Sequence, residues 1–367
     1  MDKIPTPKQK KTFTAGLLKW NREHNKREMP WKGEKDPYRI WISEIILQQT
    51  RVEQGLSYYN RFIQTFPDIK SLARAADEEV FKLWEGLGYY SRCRNLLFTA
   101  RQLLAERNGV FPAEYPAILA LKGVGPYTAA AIASFAFQLP HAVLDGNVFR
   151  VLSRYFGLFT PADSSAGKKM YTQLAGELLD HRQPGIYNQA IMDFGATVCK
   201  PQLPDCPVCP LRSTCTAFSQ QLTAELPVKT KKIRIRERWF YFTLPVYRGK
   251  IPLRKRTGND IWQQLYEFPL RETSKKQKEG QFPEPEIHWP EKIKRKESDI
   301  LYFQQLLSHQ RIHGYFRMIY ADRKPGLDPS WIWVPPDRLP LYAFPGLINR
   351  FLRENPFGKK RLPVKKA

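Results

Sequence analysis

The sequence predicts two domains of different class, a mainly α domain over residues 1–224 and an α+β domain over 237–358. Three observations predict this. Apolar residues recur at helical spacing from residue 12 to about 224, interrupted by turn signals. After a basic linker at 225–236, aromatic and β-favouring residues take over. The chain has 367 residues, more than one hydrophobic core usually serves.

In the first domain, Ile40 to Leu47, Ala117 to Leu121 and Val148 to Phe156 carry the helical pattern. Phe111-Pro112 and Lys122-Gly123-Val124-Gly125-Pro126 punctuate it. In the second domain, Trp239 to Leu244, Arg311 to Tyr320 and Trp331 to Val334 read as strands, and Arg248-Gly249-Lys250 as a hairpin turn. Ser298 to Leu307 and Gly346 to Arg353 read as helices. Residues 359–367 form a basic tail.

Composition narrows the partners. Lys and Arg number 59 against 35 Asp and Glu, a formal net charge of +24. A folded chain this basic favours a polyanion, because neutralised phosphates release counterions. The mean hydropathy is −0.49. The longest apolar run, Ala129 to Phe137, is too short for a membrane span and contains Ser134. The N-terminus has charge but no apolar core, so a secretion signal is not expected and an intracellular, cytoplasmic protein is.

Four of the five cysteines fall within 199–215, spaced C-x6-C-x2-C-x5-C at Cys199, Cys206, Cys209 and Cys215. Without a secretory context a disulfide framework is disfavoured. Zinc usually presents two C-x2-C knuckles, and here Cys206 and Cys209 make one. Four thiolates on one compact loop suit an iron–sulfur cluster, with zinc the alternative. Cys93 stands apart and reads as a small buried side chain.

Gly123 and Gly125 lie between two helical stretches. They permit a tight turn, and the helix that follows opens on free N–H groups suited to a phosphate. Glu44 sits among Trp41, Ile42, Ile45 and Ile46. Burial there raises a carboxyl pKa, which a general acid needs. Asp145, in Leu144-Asp145-Gly146-Asn147, reads first as an N-cap.

Together these segments are specific. Met29-Pro30-Trp31, Trp41 to Thr50, Trp84 to Arg92, the glycine hairpin, Leu144 to Val148 and the four cysteines resemble the adenine DNA glycosylases of the MutY family. That family lies within the helix–hairpin–helix superfamily. The resemblance covers nearly all of 12–230 and, more weakly, the second domain. It implies a helix–hairpin–helix glycosylase fold with a 4Fe–4S cluster on the four cysteines, and a Nudix-like second domain. The substrate it implies is double-stranded DNA with adenine mispaired with 8-oxoguanine or guanine, the adenine being flipped out for hydrolysis. It implies Glu44 as general acid, Asp145 as the ionised stabiliser of the sugar cation, and Tyr127 and Asn147 as their catalytic partners. Arg27, Trp31, Leu47 and Gln189 would line the adenine pocket. Gln49, Thr50, Tyr89, Gly123 and Gly125 would contact DNA. Tyr127 stands where lyase relatives carry lysine, so a monofunctional enzyme, acting as a monomer, is expected.

In the second domain, Trp262-Gln263-Gln264-Leu265-Tyr266-Glu267-Phe268-Pro269 resembles a family segment, and the Nudix catalytic box of acids is missing. Leu307-Ser308-His309 stands where relatives read 8-oxoguanine with Phe-Ser-His. Two competing readings are a bifunctional glycosylase–lyase of the same fold and a non-enzymatic DNA-binding module. Tyr127 argues against the first, and the presence of both acids against the second.

Overall fold

The computed structural model describes residues 5–230, 235–278, 280–354 and 357. The 359–367 tail lies outside the described residues. The chain forms two compact units, one of Met1–Arg74 with Asn95–Lys232, the other of Ala75–Arg94 with Ile233–Ala367. No helix among the described residues is long and apolar enough to cross a membrane.

The first unit is helical: α1 (Pro7–Glu23), α2 (Pro37–Leu47), α3 (Val52–Thr65) and α4 (Ile69–Arg74) precede its interruption. The interrupting segment carries α5 (Asp77–Trp84) and the start of α6 (Tyr90–Arg107). Then follow α7 (Tyr115–Leu119), α8 (Pro126–Phe137), α9 (Gly146–Phe156), α10 (Ser165–Leu178), α11 (Pro184–Thr197) and α12 (Thr216–Ser219). Their starts are written locally. Thr6 caps α1 in a capping box with Gln9, and Asp36 caps α2 ahead of Pro37. Helix α2 buries every residue from Tyr38 to Ile46 except Arg39, so it is a core helix rather than an amphipathic one. It packs on α3 and α8, while α9, α11 and α1 enclose Phe13, Leu17, Leu152, Tyr155 and Phe194.

The second unit is α+β. Strand β1 (Arg236–Tyr247) pairs in parallel with β7 (Gln310–Ala321) along its full length, and the sheet order is β4 (Leu270–Thr273), β1, β7, β5 (Arg295–Glu297), with β6 (Leu301–Leu306) on β7. A smaller sheet joins β3 (Tyr266–Glu267), β2 (Ile251–Lys255) and β8 (Ile332–Val334). Helix α13 (Gly346–Arg353) closes the core, where Phe316 stacks between Phe242 at 4.5 Å and Phe351 at 4.3 Å.

Two expectations need correction. Ser298 to Leu307 is not helical. Leu301–Leu306 alternates half-buried and exposed residues and pairs antiparallel with β7, so the period is two and cross-strand pairing decides. Residues 75–94, placed by sequence within 1–224, cluster with the second unit instead. The reason is polar pairing: Glu85 accepts from the Phe344 N–H at 2.7 Å and Asn349 Nδ2 at 3.0 Å, and Lys82 Nζ donates to the Tyr342 carbonyl at 2.9 Å. Cys93 is fully buried, as its reading required.

Candidate active site

A cavity of about 790 Å³ opens in the helical unit. Its wall collects Glu44 and Leu47 from α2, Gln49 and Thr50 after it, Tyr127 from the start of α8, and Asp145 and Asn147 from the start of α9. Gln189 and Met192 of α11, with Arg27 and Trp31, complete it. Every residue expected of the catalytic and adenine-binding sets therefore lines one space. Gly125 also lines it, whereas Gly123 does not. Tyr89 and Leu307 to His309 belong to the other unit.

Glu44 is 7% exposed. Burial pushes its carboxyl up to about 7; a hydrogen bond with Tyr127 opposes the shift, and the charge of Asp145 adds to it. The Tyr127 hydroxyl also lies 3.3 Å from Met192 Sδ, so it sits between acid and thioether.

Asp145 meets its first reading and also lies on the cavity wall. It is the N-cap of α9, one oxygen accepting from the Val148 N–H at 2.8 Å, and the other oxygen accepts from Asn147 Nδ2 at 2.8 Å. Burial raises its pKa, and the Val148 and Asn147 hydrogen bonds with the charge of Arg150 pull the other way. Hydrogen-bond donors to both oxygens favour the carboxylate form. Helix α11 reaches this corner closely because Gly195 carries no side chain; a Cβ there would meet Asn147 Cβ at 2.7 Å.

Sequence reasoning missed the residues behind the wall. Arg150, buried on α9, donates from Nη2 to Asn147 Oδ1 at 2.8 Å and to the Gly195 carbonyl at 2.6 Å, and from Nε to the Cys199 carbonyl at 2.7 Å. It thus ties the Asp145–Asn147 corner to the cysteine loop. Asp193, fully buried on α11, binds Arg27 and Gln189. Both are charges inside apolar helical runs, the same signal that singled out Glu44.

The hairpin departs from expectation in one detail. Gly123 has φ +81° and lies against Asn95, so it needs to be glycine. Gly125 is extended at φ −92° with open space around it. Its value is access: no side chain caps α8, which leaves N–H groups for an anion.

Cys199, Cys206, Cys209 and Cys215 ring a second cavity of about 30 Å³, walled by apolar side chains including Val151, Phe194 and Leu211. Among the described residues, no three His, Cys, Asp or Glu converge as ligands of a single metal ion. Arg154 Nη1 approaches Cys199 Sγ at 3.6 Å and donates to the Lys200 carbonyl at 2.7 Å.

Comparison with known proteins meets this geometry directly. Residues 42–174 match the HhH-GPD superfamily of base excision DNA repair proteins, and 241–354 match the NUDIX domain. The adenine DNA glycosylase of Buchnera aphidicola subsp. Schizaphis graminum is 32% identical over 327 residues, 86% of this chain and 92% of that protein. The chain belongs to the adenine DNA glycosylases. The member of that family from Buchnera aphidicola subsp. Baizongia pistaciae is 37% identical over 262 residues, covering 70% of this chain and 73% of its own. Among solved structures, a thermostable thymine-DNA glycosylase aligns over 58% of this chain and 98% of its own, with a TM-score of 0.54 and 30% identity. Endonuclease III in a non-covalent DNA complex, 23% identical, shares the fold at a TM-score of 0.51 over 60% of this chain and 99% of its own.

In the second unit, Tyr89, at φ +47° and 39% exposed, pairs through its hydroxyl with Ser308 Oγ. Two of the segments expected to contact DNA are thus joined. His309 beside them is exposed, and its carbonyl accepts from the Arg236 N–H at 2.9 Å. Leu307 closes the turn, its N–H donating to the Gln310 carbonyl at 2.7 Å.

Proposed function

We propose that the protein hydrolyses the N-glycosidic bond of adenine mispaired with 8-oxoguanine or guanine in duplex DNA and leaves an abasic site. The observation that carries this is the pair of carboxyls on one cavity, both raised by burial but differing in their hydrogen-bond partners. Glu44 is buried and held near neutrality, while Asp145 accepts hydrogen bonds at both oxygens. Pairs tuned apart in this way divide acid and charge-stabilising work.

The flipped adenine enters the cavity between Trp31, Arg27 and Gln189. Glu44 donates its proton to N7 as the N9–C1′ bond breaks. The bonding pair leaves with the base, and the sugar becomes oxocarbenium-like. Asp145 stabilises that cation, held by Asn147 and, through it, Arg150. Water adds its oxygen to C1′, and its proton returns to Glu44. Tyr127 orients Glu44 and offers no amine, so no Schiff base forms with the sugar. Tyr89 and the Leu307–His309 turn are the elements that inspect the opposite strand. Leucine at 307 keeps an apolar contact but has no aromatic face to stack on the lesion.

A duplex with a central 8-oxoguanine:A pair, labelled on the adenine strand, tests the reaction in a single turnover. Strand breaks are expected only after alkali. Breaks without alkali would require a lysine nucleophile and would sink the monofunctional reading.

The four cysteines fit a 4Fe–4S cluster better than zinc, because they surround a cavity rather than meeting at a point. The cluster would be structural, ordering the loop that Arg150 and Arg154 grip through the Cys199 and Lys200 carbonyls. Protein purified without air should contain iron and acid-labile sulfide in equal amounts. Zinc without sulfide would overturn this assignment.

A further inference from the structure

We propose that Asp193 is a specificity-positioning residue, which locks the Gln189 amide so that the site accepts a 6-amino purine and rejects a 6-oxo purine. The inference rests on the adenine-excising reading above and adds a residue outside the cavity wall.

Asp193 is fully buried on α11. Four groups converge on it. Arg27 Nη1 lies at 2.8 Å and Gln189 Nε2 at 2.9 Å from Oδ1; Asn25 Nδ2 lies at 2.9 Å and Lys32 Nζ at 3.2 Å from Oδ2. Of these, Arg27, Lys32 and Gln189 also line the cavity. One carboxylate thus organises much of the wall that meets the base.

Its effect on Gln189 is directional. An amide can present either its oxygen or its nitrogen, and the choice is made by its partners. An ion-paired carboxylate only accepts, so Gln189 must turn its NH2 toward Asp193. The Gln189 Oε1 is left for the cavity, where it can accept a proton from an exocyclic amine. Adenine carries a 6-amino donor; hypoxanthine and guanine carry a 6-oxo acceptor, which would face that oxygen lone pair to lone pair. A mismatch of buried polar groups discriminates far more strongly than a change of shape.

Asp193→Asn removes the lock, because an asparagine can accept from or donate to either end of Gln189. Excision would be measured from matched duplexes with deoxyadenosine or deoxyinosine opposite 8-oxoguanine. The expected result is a fall of at least about tenfold in the adenine-to-hypoxanthine ratio of kcat/KM. Gln189→Leu offers the base no hydrogen bond in any orientation and should lower the ratio as far, and adding Asp193→Asn to it should lower the ratio no further. A purely structural role would lower both substrates together with the ratio unchanged, and that outcome overturns the proposal. If Asp193→Asn does not fold, Gln189→Leu alone decides: an unchanged ratio would show that the Gln189 amide does not read the base and would overturn the proposal. Excision of neither base by the wild-type protein would instead refute the adenine reading itself.

Discussion

Glu44→Gln is expected to lower single-turnover excision by about 10³-fold or more while leaving duplex binding within a few-fold of wild type. The amide keeps the shape and cannot release a proton. In the wild-type protein the same group sets the pH profile. Its carboxyl is raised to about 7, and the protonated form is the acid, so the chemical step should fall as pH rises through about 7. The variant should lose that limb along with its rate. Retention of both rate and pH limb would remove Glu44 from the acid's role.

Stability should also fall with rising pH. The folded protein holds the Glu44 proton more tightly than the unfolded chain, whose ordinary value is 4.5. Stability is therefore full below about 4.5, declines as pH rises, and is lost through about 7. The difference corresponds to roughly 3 kcal/mol. Glu44→Gln removes this penalty, so the variant should melt higher than wild type at pH 8 and indistinguishably from it at pH 4. An active site that costs stability in this way is a common trade.

Asp145→Asn separates two roles of one side chain. Asparagine caps helices about as well as aspartate, so the melting temperature should shift little. The charge beside the sugar is gone, so excision should fall by about 10³-fold, as when a transition-state stabiliser is removed. Asp145→Ala should lose the same activity and, in addition, about 1 kcal/mol of stability with the cap. The pair of variants is read by kcat and by thermal melting. Equal melting of the two would mean that the Val148 N–H finds another partner. Activity in Asp145→Asn within tenfold of wild type would exclude the charge as the stabiliser.

Where the sequence was legible, the signal was local. Glu44 could be singled out because a carboxylate inside Ile40–Leu47 has few places to be except a core. Gly123 and the four cysteines could be found because a turn or a cysteine loop is written in nearby residues. The strand pairing of 301–306 was not legible, because the run is too short for its period to be separated from a helix; pairing with β7 settles it. Asp193 carries the same apolar flanks as Glu44 in Ile191-Met192-Asp193-Phe194. Nothing in those flanks tells that its partners are Asn25, Arg27 and Lys32, far away in the chain.

The sequence by itself determined the kinds of group available: a carboxyl among apolar residues, a capping aspartate, a tyrosine after the glycine hairpin, a cysteine loop and an excess of basic residues. It also determined the classes of both domains, since helical and strand periodicities are properties of neighbouring residues. The tertiary structure decided which of these groups share a space. It set Asp145 at once on a helix N-terminus and a cavity wall, linked that corner to the cysteine loop through Arg150, and assigned residues 75–94 to the second unit. The physical reason is range. Propensity and burial act on residues a few positions apart, whereas hydrogen bonds such as Arg150 to Cys199 and Glu85 to Phe344 join groups that only the packed chain brings within 3 Å.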